Sequence, residues 1–231
     1  MYSFEEIIGH LINKVPEELT GHSKFLSVLA YIVAKQLKED HPELKLDDLF
    51  ADHMKIASKL HDLGKINIDK NILNKPDKLT TEEYRIMKMH TVYGLMVLTE
   101  MTKGISLDIN ERKLFTICKE VILLHHERED GSGYPIGINR IPLSAQIMAV
   151  VDTYDALTTN RVYHNKVTKE EALEILDHDD DKYNPMVVDS LKRVLAKKDF
   201  AEIVNNPPLK EVGLSCSYCR WTNFDIISKN F

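Results

Sequence analysis

The sequence predicts an all-α protein. In residues 23–39, apolar side chains recur with the spacing of one helical face. Thr80 precedes Glu83 by three residues, which is the capping-box signature of a helix start. We find no segment in which apolar and polar residues alternate as in a half-buried strand. Together these observations favour a bundle of helices.

The N-terminal helices can be placed from such local signals. Residues 1–17 are predicted to form a leading helix followed by a turn near Pro16, and the stripe in residues 23–39 marks the next helix. A further helix is predicted to open at the capping box of Thr80 and to continue without a break through residues 82–101.

The C-terminal half has its own helix starts. The capping-box spacing recurs at Thr168, before a further predicted helix, and Asn184-Pro185 is typical of an N-cap followed by proline in the first turn. Glycine and proline concentrate in residues 131–142, where we expect one long loop. Residues 205–231 form a tail whose fold the sequence does not indicate.

The bulk composition is that of a soluble globular protein. The chain has 231 residues, of which 43% are hydrophobic and 29% are charged. It contains no apolar run long enough for a membrane span and no basic N-terminal signal region, so we expect a cytoplasmic protein. The net charge of −6 argues against a surface that binds nucleic acid.

The cysteines do not indicate a disulfide scaffold, because there are only three. Cys118 lies among apolar residues and is expected to be a small buried hydrophobe. Cys216 and Cys219 form a lone CxxC pair. A plain surface tail is the favoured interpretation of this pair, ahead of a metal site shared with another molecule or a redox pair.

Side chains that bind metals recur along the chain, and most lie in unusual words. These words are HDLGK (61–65), HHEREDGSGYP (125–135) and VDTYDALTTNR (151–161). Imidazole and carboxylate groups held by helices at this density indicate a metal centre for hydrolysis, although each alone fits an ordinary structural role. The candidate ligands are His22, His61, Asp62, His90, His125, His126 and Asp152.

The first of these words follows an apolar-periodic helix segment, residues 54–60. A carboxylate beside an imidazole can bridge two metals while the histidine binds one, as His61-Asp62 would. We expect Gly64 to permit a sharp exit from the helix and Lys65 to direct a cation to the same place.

The other two words also predict convergence. Neighbouring residues diverge by about 100° around a helix, so His125 and His126 reach one centre only near a helix end. The glycine-rich residues that follow fit such an end. Asp152 and Asp155 are three residues apart and share one helix face.

At this level of detail the sequence resembles the HD-GYP family, the branch of the HD phosphohydrolase superfamily that hydrolyses cyclic dinucleotides. The match is nearly continuous from Gly21 to about Pro185. The matching segments are GHS (21–23), LHDLGKINIDKNILNKPDKLTTEEYRIMKMH (60–90), HHEREDGSGYP (125–135), IPLSAQIMAVVDTYDALTTNRVY (141–163) and YNPMVV (183–188).

The resemblance implies that the seven candidate ligands bind two or three divalent transition metals. Glu18 lies four residues before His22, where some members have an extra glutamate that recruits the third metal. Ligation by histidine and carboxylate suits iron or manganese best, with zinc as a further candidate.

The resemblance also implies a set of substrate contacts. Lys65 falls on a lysine near the scissile phosphate, and Tyr134 is the tyrosine of the GYP word. Arg161 falls on an arginine that contacts phosphate, and Asp155 lines the same pocket. His164 stands where the family usually has Arg or Lys, which implies a second phosphate clamp that is weaker or pH-dependent.

The resemblance implies a compact bundle of about seven core helices. We therefore divide the chain into an N-terminal helix (1–17), an HD-GYP metal-dependent phosphohydrolase domain (18–204) and a C-terminal tail (205–231). Because the stretch before the domain is shorter than the sensor domain of most members, we expect regulation from another molecule. The 131–142 loop is a candidate docking surface for a regulatory protein.

Three hypotheses of function follow. The leading one is a cyclic di-GMP phosphodiesterase yielding the linear dinucleotide and then GMP. In it, a hydroxide between metals bridged by Asp62 attacks phosphorus, and Lys65 stabilises charge or helps protonate the leaving oxygen. The second is a phosphohydrolase for another cyclic dinucleotide or a nucleotide phosphate ester. The third is a catalytically weak module that binds metal or dinucleotide and docks on a partner, against which the intact ligand set argues.

Overall fold

The chain folds into packed α-helices in a computed structural model that describes residues 2–15, 17–159, 166–179 and 181–205. For residues 17–24, 203 and 205 the description is limited to the backbone. No strand occurs in these ranges, and the predicted all-α class is confirmed. The helices are α1 (Phe4–Lys14), α2 (Glu17–Asp40), α3 (Phe50–Ala57), α4 (Lys70–Leu73), α5 (Thr81–Lys88), α6 (His90–Met101), α7 (Ile109–Leu124), α8 (Leu143–Thr158), α9 (Lys169–His178), α10 (Pro185–Ala196) and α11 (Phe200–Asn205).

The long helix α2 lies at the centre of the bundle. It packs against α3, α8 and α10, and α7 packs against α3, α6 and α8. The stripe predicted from the sequence faces this core, since Leu29, Val33 and Leu37 have no exposed surface. Burying each such side chain stabilises the fold by about 1.5–3 kcal/mol. Among the described residues, no helix is long and apolar enough to cross a membrane.

Helix α1 contributes to the same core rather than standing apart from it. Its buried side chains Phe4, Ile8 and Leu11 belong to the main apolar cluster. The ring of Phe4 meets that of Phe115 on α7 edge to face, with the ring centroids 6.2 Å apart. The N-terminal helix therefore packs directly on the body of the bundle.

The predicted helix starts are confirmed. Thr80 and Glu83 form both reciprocal hydrogen bonds of a capping box at α5, and Thr168 caps α9 in the same way. At α10, the side chain of Asn184 accepts from the backbone N–H of Met186. These starts were predictable because a cap depends on residues within one turn of each other.

The unbroken helix predicted for residues 82–101 is wrong, because the chain turns at Met89. The Met89 N–H bonds to the carbonyl of Ile86, 3.0 Å away, in a tight turn between α5 and α6. Nδ1 of His90 then forms a hydrogen bond with the carbonyl oxygen of Met87, at 2.8 Å. The break allows His90, the first residue of α6, to enter the interior.

The helix predicted before His61 also ends earlier than expected. Helix α3 stops at Ala57, and the chain tightens into two 3-10 turns, Ser58–Leu60 and Leu63–Asn67. Gly64 lies in the second turn and is not among the glycines with positive φ. The sharp exit that we predicted from its backbone freedom is therefore not the reason for glycine at this position.

Close packing on α6 explains Gly64 instead. A Cβ at Gly64 would lie 1.8 Å from the carbonyl oxygen of His90 and 2.4 Å from the amide nitrogen of Gly94. Both neighbours are backbone atoms and cannot rotate away. The absence of a side chain thus lets the turn after Asp62 lie directly on the helix that starts at His90.

We expect Gly64→Ala to lower the free energy of unfolding by about 3 kcal/mol, because two backbone segments must separate to admit the methyl group. Urea denaturation measures the loss. Gly104→Ala is the matched control, since a Cβ there meets nothing within 4 Å and carries only the strain of a φ of +77°, about 1–2 kcal/mol. Equal losses in the two variants would contradict the packing argument.

Candidate metal centre

Predicted ligands from distant parts of the chain converge in one buried cluster. One carboxylate oxygen of Asp62 (Oδ2) lies 3.2 Å from His61 Nε2, and the other (Oδ1) lies 3.4 Å from His90 Nε2. His90 Nε2 lies 3.5 Å from His125 Nε2. At most 4% of the surface of any of these four residues is exposed. Asp62 therefore lies between the imidazoles of two different segments.

His126 completes a tight histidine cluster. His90, His125 and His126 each offer one ligand atom, and these atoms lie within 4.8 Å of one another. The rings of His125 and His126 lie 4.0 Å apart between centroids. Helix α7 ends at Leu124, so the pair sits just past a helix end, as predicted.

Three of the histidines share one anchoring pattern. In each, Nδ1 hydrogen-bonds a backbone carbonyl three or four residues earlier, which only accepts, so Nδ1 carries the proton. Nε2 is then the ring nitrogen that could bind a metal, which is the usual second-partner arrangement of metal-binding histidines. The pairs are His61 with Ser58 at 2.6 Å, His90 with Met87 at 2.8 Å and His125 with Val121 at 2.8 Å.

The imidazoles of the cluster are held in the neutral form that binds metal. Burial lowers the pKa of His126 to about 3. Burial also lowers the pKa of His90, and burial with the neighbouring imidazoles lowers the pKa of His125 well below its ordinary value. Since a metal competes with protons for these nitrogens, the cluster fits a cation.

Asp62 is the negative centre of the site. Burial opposes its ionisation, but Lys65 and His61 outweigh burial and hold the pKa of Asp62 well below its ordinary value. Lys65 lies where predicted, with Nζ 2.7 Å from Asp62 Oδ2. Burial would lower the pKa of His61, but Asp62 more than offsets it and the pKa is raised. A buried carboxylate among imidazoles is a donor set suited to divalent metals.

Asp152 faces this cluster from α8. Its charge contributes to the raised pKa of His61 and partly offsets the lowering of the pKa of His126 by burial. Asp155 lies one turn further along and is buried, and its Oδ1 accepts a hydrogen bond from the Thr159 hydroxyl at 3.4 Å. Placement of Asp155 in the substrate pocket stays a prediction.

Several predicted residues lie outside the described part of the structure. Helix α2 begins at Glu17, so the backbones of Glu18 and His22 occupy successive turns of one helix, but their side chains are outside the described residues. The other predicted positions outside the described ranges are Arg161, His164, Cys216 and Cys219. Cys118 is buried as predicted, and burial raises the pKa of its thiol.

The predicted loop covers one side of the histidine cluster. The ring of Tyr134 stacks on that of His126, with centroids 4.6 Å apart and planes inclined by 26°. The N–H of Tyr134 donates to the carbonyl of His126 at 3.1 Å. A Cβ at Gly133 would lie 2.4 Å from the Cα of Glu127, which explains the glycine before the tyrosine.

Sequence reasoning missed the role of Glu127, which holds this loop. The Glu127 side chain is fully buried, and its oxygens accept hydrogen bonds from the backbone N–H groups of Ile136, Gly137 and Ile138 at 2.7–3.1 Å. Its place directly after His126 was the available signal. Glu127 thus fixes the loop that carries Tyr134 to the end of α7.

Gln146 on α8 links the end of this loop to α10. Its side-chain amide donates to the carbonyl of Ile141 at 2.8 Å and accepts from Asn184 at 2.7 Å. These two bonds anchor the loop at its far end.

Residues 6–187 match the family described as HD domain. The chain belongs to the HD domain family. The predicted HD-GYP membership is confirmed by this match together with the relatives. A "Probable cyclic di-GMP phosphodiesterase" of Vibrio cholerae is 41% identical over 64% of this chain and 33% of its own length. A "Cyclic di-GMP phosphodiesterase" of Thermotoga maritima is 38% identical over 70% of the chain and 42% of its own length.

A third relative is named for a different substrate. The "3'3'-cGAMP-specific phosphodiesterase 2" of Vibrio cholerae is 41% identical over 54% of this chain and 23% of its own length. The chain thus spans between about a quarter and less than half of the length of these three relatives.

Proposed function

We propose that this HD domain is a metal-dependent phosphodiesterase that hydrolyses cyclic di-GMP to the linear dinucleotide and then GMP. The observation that carries the proposal is the buried carboxylate of Asp62 between His61 and His90, with Nδ1 of both imidazoles anchored to backbone carbonyls. Relatives whose names state this activity support the substrate.

Metal binding by the predicted ligand set is part of this proposal. The neutral buried imidazoles and the ionised Asp62 fit divalent transition metals, and the nitrogen and oxygen donors favour iron or manganese, with zinc as a further candidate. Two such metals, when bound, lower the pKa of water and shield phosphate oxygens. Glu18 would serve a third metal. The proposed ligands are Glu18, His22, His61, Asp62, His90, His125, His126 and Asp152.

Residues of the chain supply the remaining chemistry. The side chain of Lys65 is 21% exposed, and its ammonium lies beside Asp62. There it would stabilise the charge that develops on the phosphate and would assist protonation of the leaving oxygen. Arg161 would orient the phosphate through paired hydrogen bonds. Tyr134 covers one face of His126 and limits access of water from that side.

A second candidate substrate is 3'3'-cGAMP. It is supported by the relative that is named for this dinucleotide and is 41% identical over 128 residues. Both substrates are cyclic dinucleotides and present the same phosphodiester to the metals. The alternatives therefore differ in recognition of the bases and not in the reaction.

An anaerobic assay tests the proposal. The purified protein is reconstituted with Fe(II) or Mn(II), its metal content is measured by elemental analysis, and it is incubated with a panel of cyclic dinucleotides whose products are separated by chromatography. We expect at least two ions per chain and conversion of cyclic di-GMP through the linear dinucleotide to GMP. A metal-loaded protein that cleaves no member of the panel would refute the proposed function.

The phosphate clamp gives a further prediction. We expect Arg161→Ala to lower kcat/KM for a cyclic dinucleotide by a factor equivalent to about 2–3 kcal/mol, the usual size of a charge-assisted hydrogen bond to phosphate. Metal content should stay at the parent value, as measured by elemental analysis. Arg85→Ala is the control, because Arg85 is exposed and pairs with Glu82 at the surface. The same loss in both variants would mean that general charge, and not a contact, is responsible.

A further inference from the structure

Lys88 occupies an unusual position beside the metal centre. It is the last residue of α5, and its Nζ lies 4.7 Å from the ring centroid of Tyr84 and 5.1 Å from that of Tyr134. Tyr134 in turn stacks on His126. The Lys88 ammonium therefore contacts the same aromatic ring that stacks on a predicted metal ligand.

Two tyrosine rings hold this ammonium without neutralising it. Tyr84 precedes Lys88 by one helical turn, and an aromatic face attracts a cation through its quadrupole. Within the described ranges, no carboxylate lies at ion-pair distance from Lys88. Lys65, in contrast, lies 2.7 Å from Asp62, and Lys75 lies 2.6 Å from Glu83. Among the described residues, Lys88 therefore has no carboxylate partner that would compete with an arriving anion.

The helix that carries Lys88 is fixed in place. Glu83 closes the capping box with Thr80 at its start and accepts two hydrogen bonds from Lys75. These bonds from Lys75 and Thr80 lower the pKa of Glu83 to about 2, so the acid stays ionised. Since α5 is anchored at one end and continues into the turn before His90 at the other, the position of Lys88 is built into the fold.

We propose that Lys88 binds the phosphodiester group of a cyclic dinucleotide that is not being hydrolysed, and that Tyr84 and Tyr134 position its ammonium for this contact. The inference rests on the proposed function. A cyclic dinucleotide carries two phosphodiesters, of which only one can be at the metals, on the Asp62 and Lys65 side. The second anion needs a cation, and Lys88 would supply one beside Tyr134, in addition to the clamp predicted at His164.

The inference predicts a loss that depends on the number of phosphates in the substrate. The manganese-loaded protein is assayed with cyclic di-GMP, which has two phosphodiesters, and with bis(p-nitrophenyl) phosphate, which has one. We expect Lys88→Met to raise KM for cyclic di-GMP about 10-fold, the usual effect of losing a charge-assisted hydrogen bond, with a small change in kcat. The loss with the single phosphodiester should be much smaller. Lys88→Arg should restore most of the affinity.

Lys103→Met is the matched control. Lys103 is an exposed lysine at the other end of α6, where it pairs with Glu100 at 3.6 Å. Lys103→Met removes one positive charge at a position away from the site, so this variant reveals any effect of net charge alone. Thermal melting and elemental analysis of each variant report whether fold and metal content are retained. Tyr84→Leu should raise KM for cyclic di-GMP less than Lys88→Met does.

The possible outcomes distinguish failure of this inference from failure of the proposed function. If the parent hydrolyses cyclic di-GMP and Lys88→Met has the parent KM, the inference is overturned and the proposed function stands. Equal losses for the one-phosphate and two-phosphate substrates would also overturn it, because Lys88 would then serve the scissile phosphate or the fold. If the parent cleaves only the single phosphodiester, the proposed function fails and the inference fails with it.

Discussion

Asp62→Ala is expected to abolish both metal binding and phosphodiester hydrolysis. The two oxygens of Asp62 face different imidazoles, at 3.2 Å from His61 Nε2 and 3.4 Å from His90 Nε2. If Asp62 holds two ions, as proposed, water could not take its place without loosening both. Since loss of a hydrogen-bond partner of a metal ligand alone costs roughly 10- to 100-fold, we expect kcat/KM to fall by at least about 100-fold.

Elemental analysis and activity are measured together for this variant after reconstitution with Mn(II). Asp62→Asn keeps the shape of the side chain and removes its charge, so it separates loss of ligation from loss of packing. Asp177→Ala is the control for removal of an aspartate, because Asp177 pairs with Lys192 at the surface. Parent metal content in Asp62→Ala would reduce Asp62 to a structural partner of Lys65.

The parts of this protein that could be predicted from sequence depend on neighbouring residues. The capping box of Thr80 and Glu83 was correct because each of its bonds spans three residues. The position of His125 and His126 at a helix end was correct because adjacent residues diverge on a helix and glycines follow at once. The common metal centre of these segments with His61 and Asp62 was predicted from the density of metal-binding side chains and from the family resemblance, and not from the periodicity.

The incorrect predictions involve segments that meet only in the fold. The apolar pattern continues across Met89, so periodicity predicts one helix. In the structure the helix breaks there, and Nδ1 of His90 forms a hydrogen bond with the carbonyl oxygen of Met87. Gly64 was assigned to a turn because glycine tolerates unusual backbone angles. Its actual constraint is the close approach of the backbone of His90 and Gly94, which belong to α6. Such contacts leave no local signal.

Glu127 and Lys88 show the same limit for functional residues. The backbone donors to Glu127 lie 9 to 11 residues further along the chain, and their path is not visible in the motif. Tyr84 and Lys88 have the spacing of a helical pair, which is also ordinary on an exposed surface. Only the folded loop, which brings the ring centroid of Tyr134 to 5.1 Å from the Lys88 ammonium, makes that pair informative.

Glu127→Gln is expected to release the loop that carries Tyr134. The two oxygens of Glu127 accept from the N–H groups of Ile136, Gly137 and Ile138. Glutamine replaces one oxygen by an amide group that only donates, so it would face backbone donors without forming a bond. Because hydrogen bonds to a charged group contribute more than neutral ones, we expect the free energy of unfolding to fall by about 3 kcal/mol.

The effect on function should fall on the substrate and not on the metals. His125 is anchored to the carbonyl of Val121 within α7, which does not depend on the loop, so metal content should stay at the parent value. Tyr134 would lose its place on His126, and KM for a cyclic dinucleotide should rise. Urea denaturation, elemental analysis, hydrogen exchange of residues 131–142 and steady-state kinetics with a cyclic dinucleotide measure these effects. Glu100→Gln, an exposed change of the same kind, should alter none of them. Parent-like exchange of the loop amides in Glu127→Gln would show that other contacts hold the loop against the metal centre.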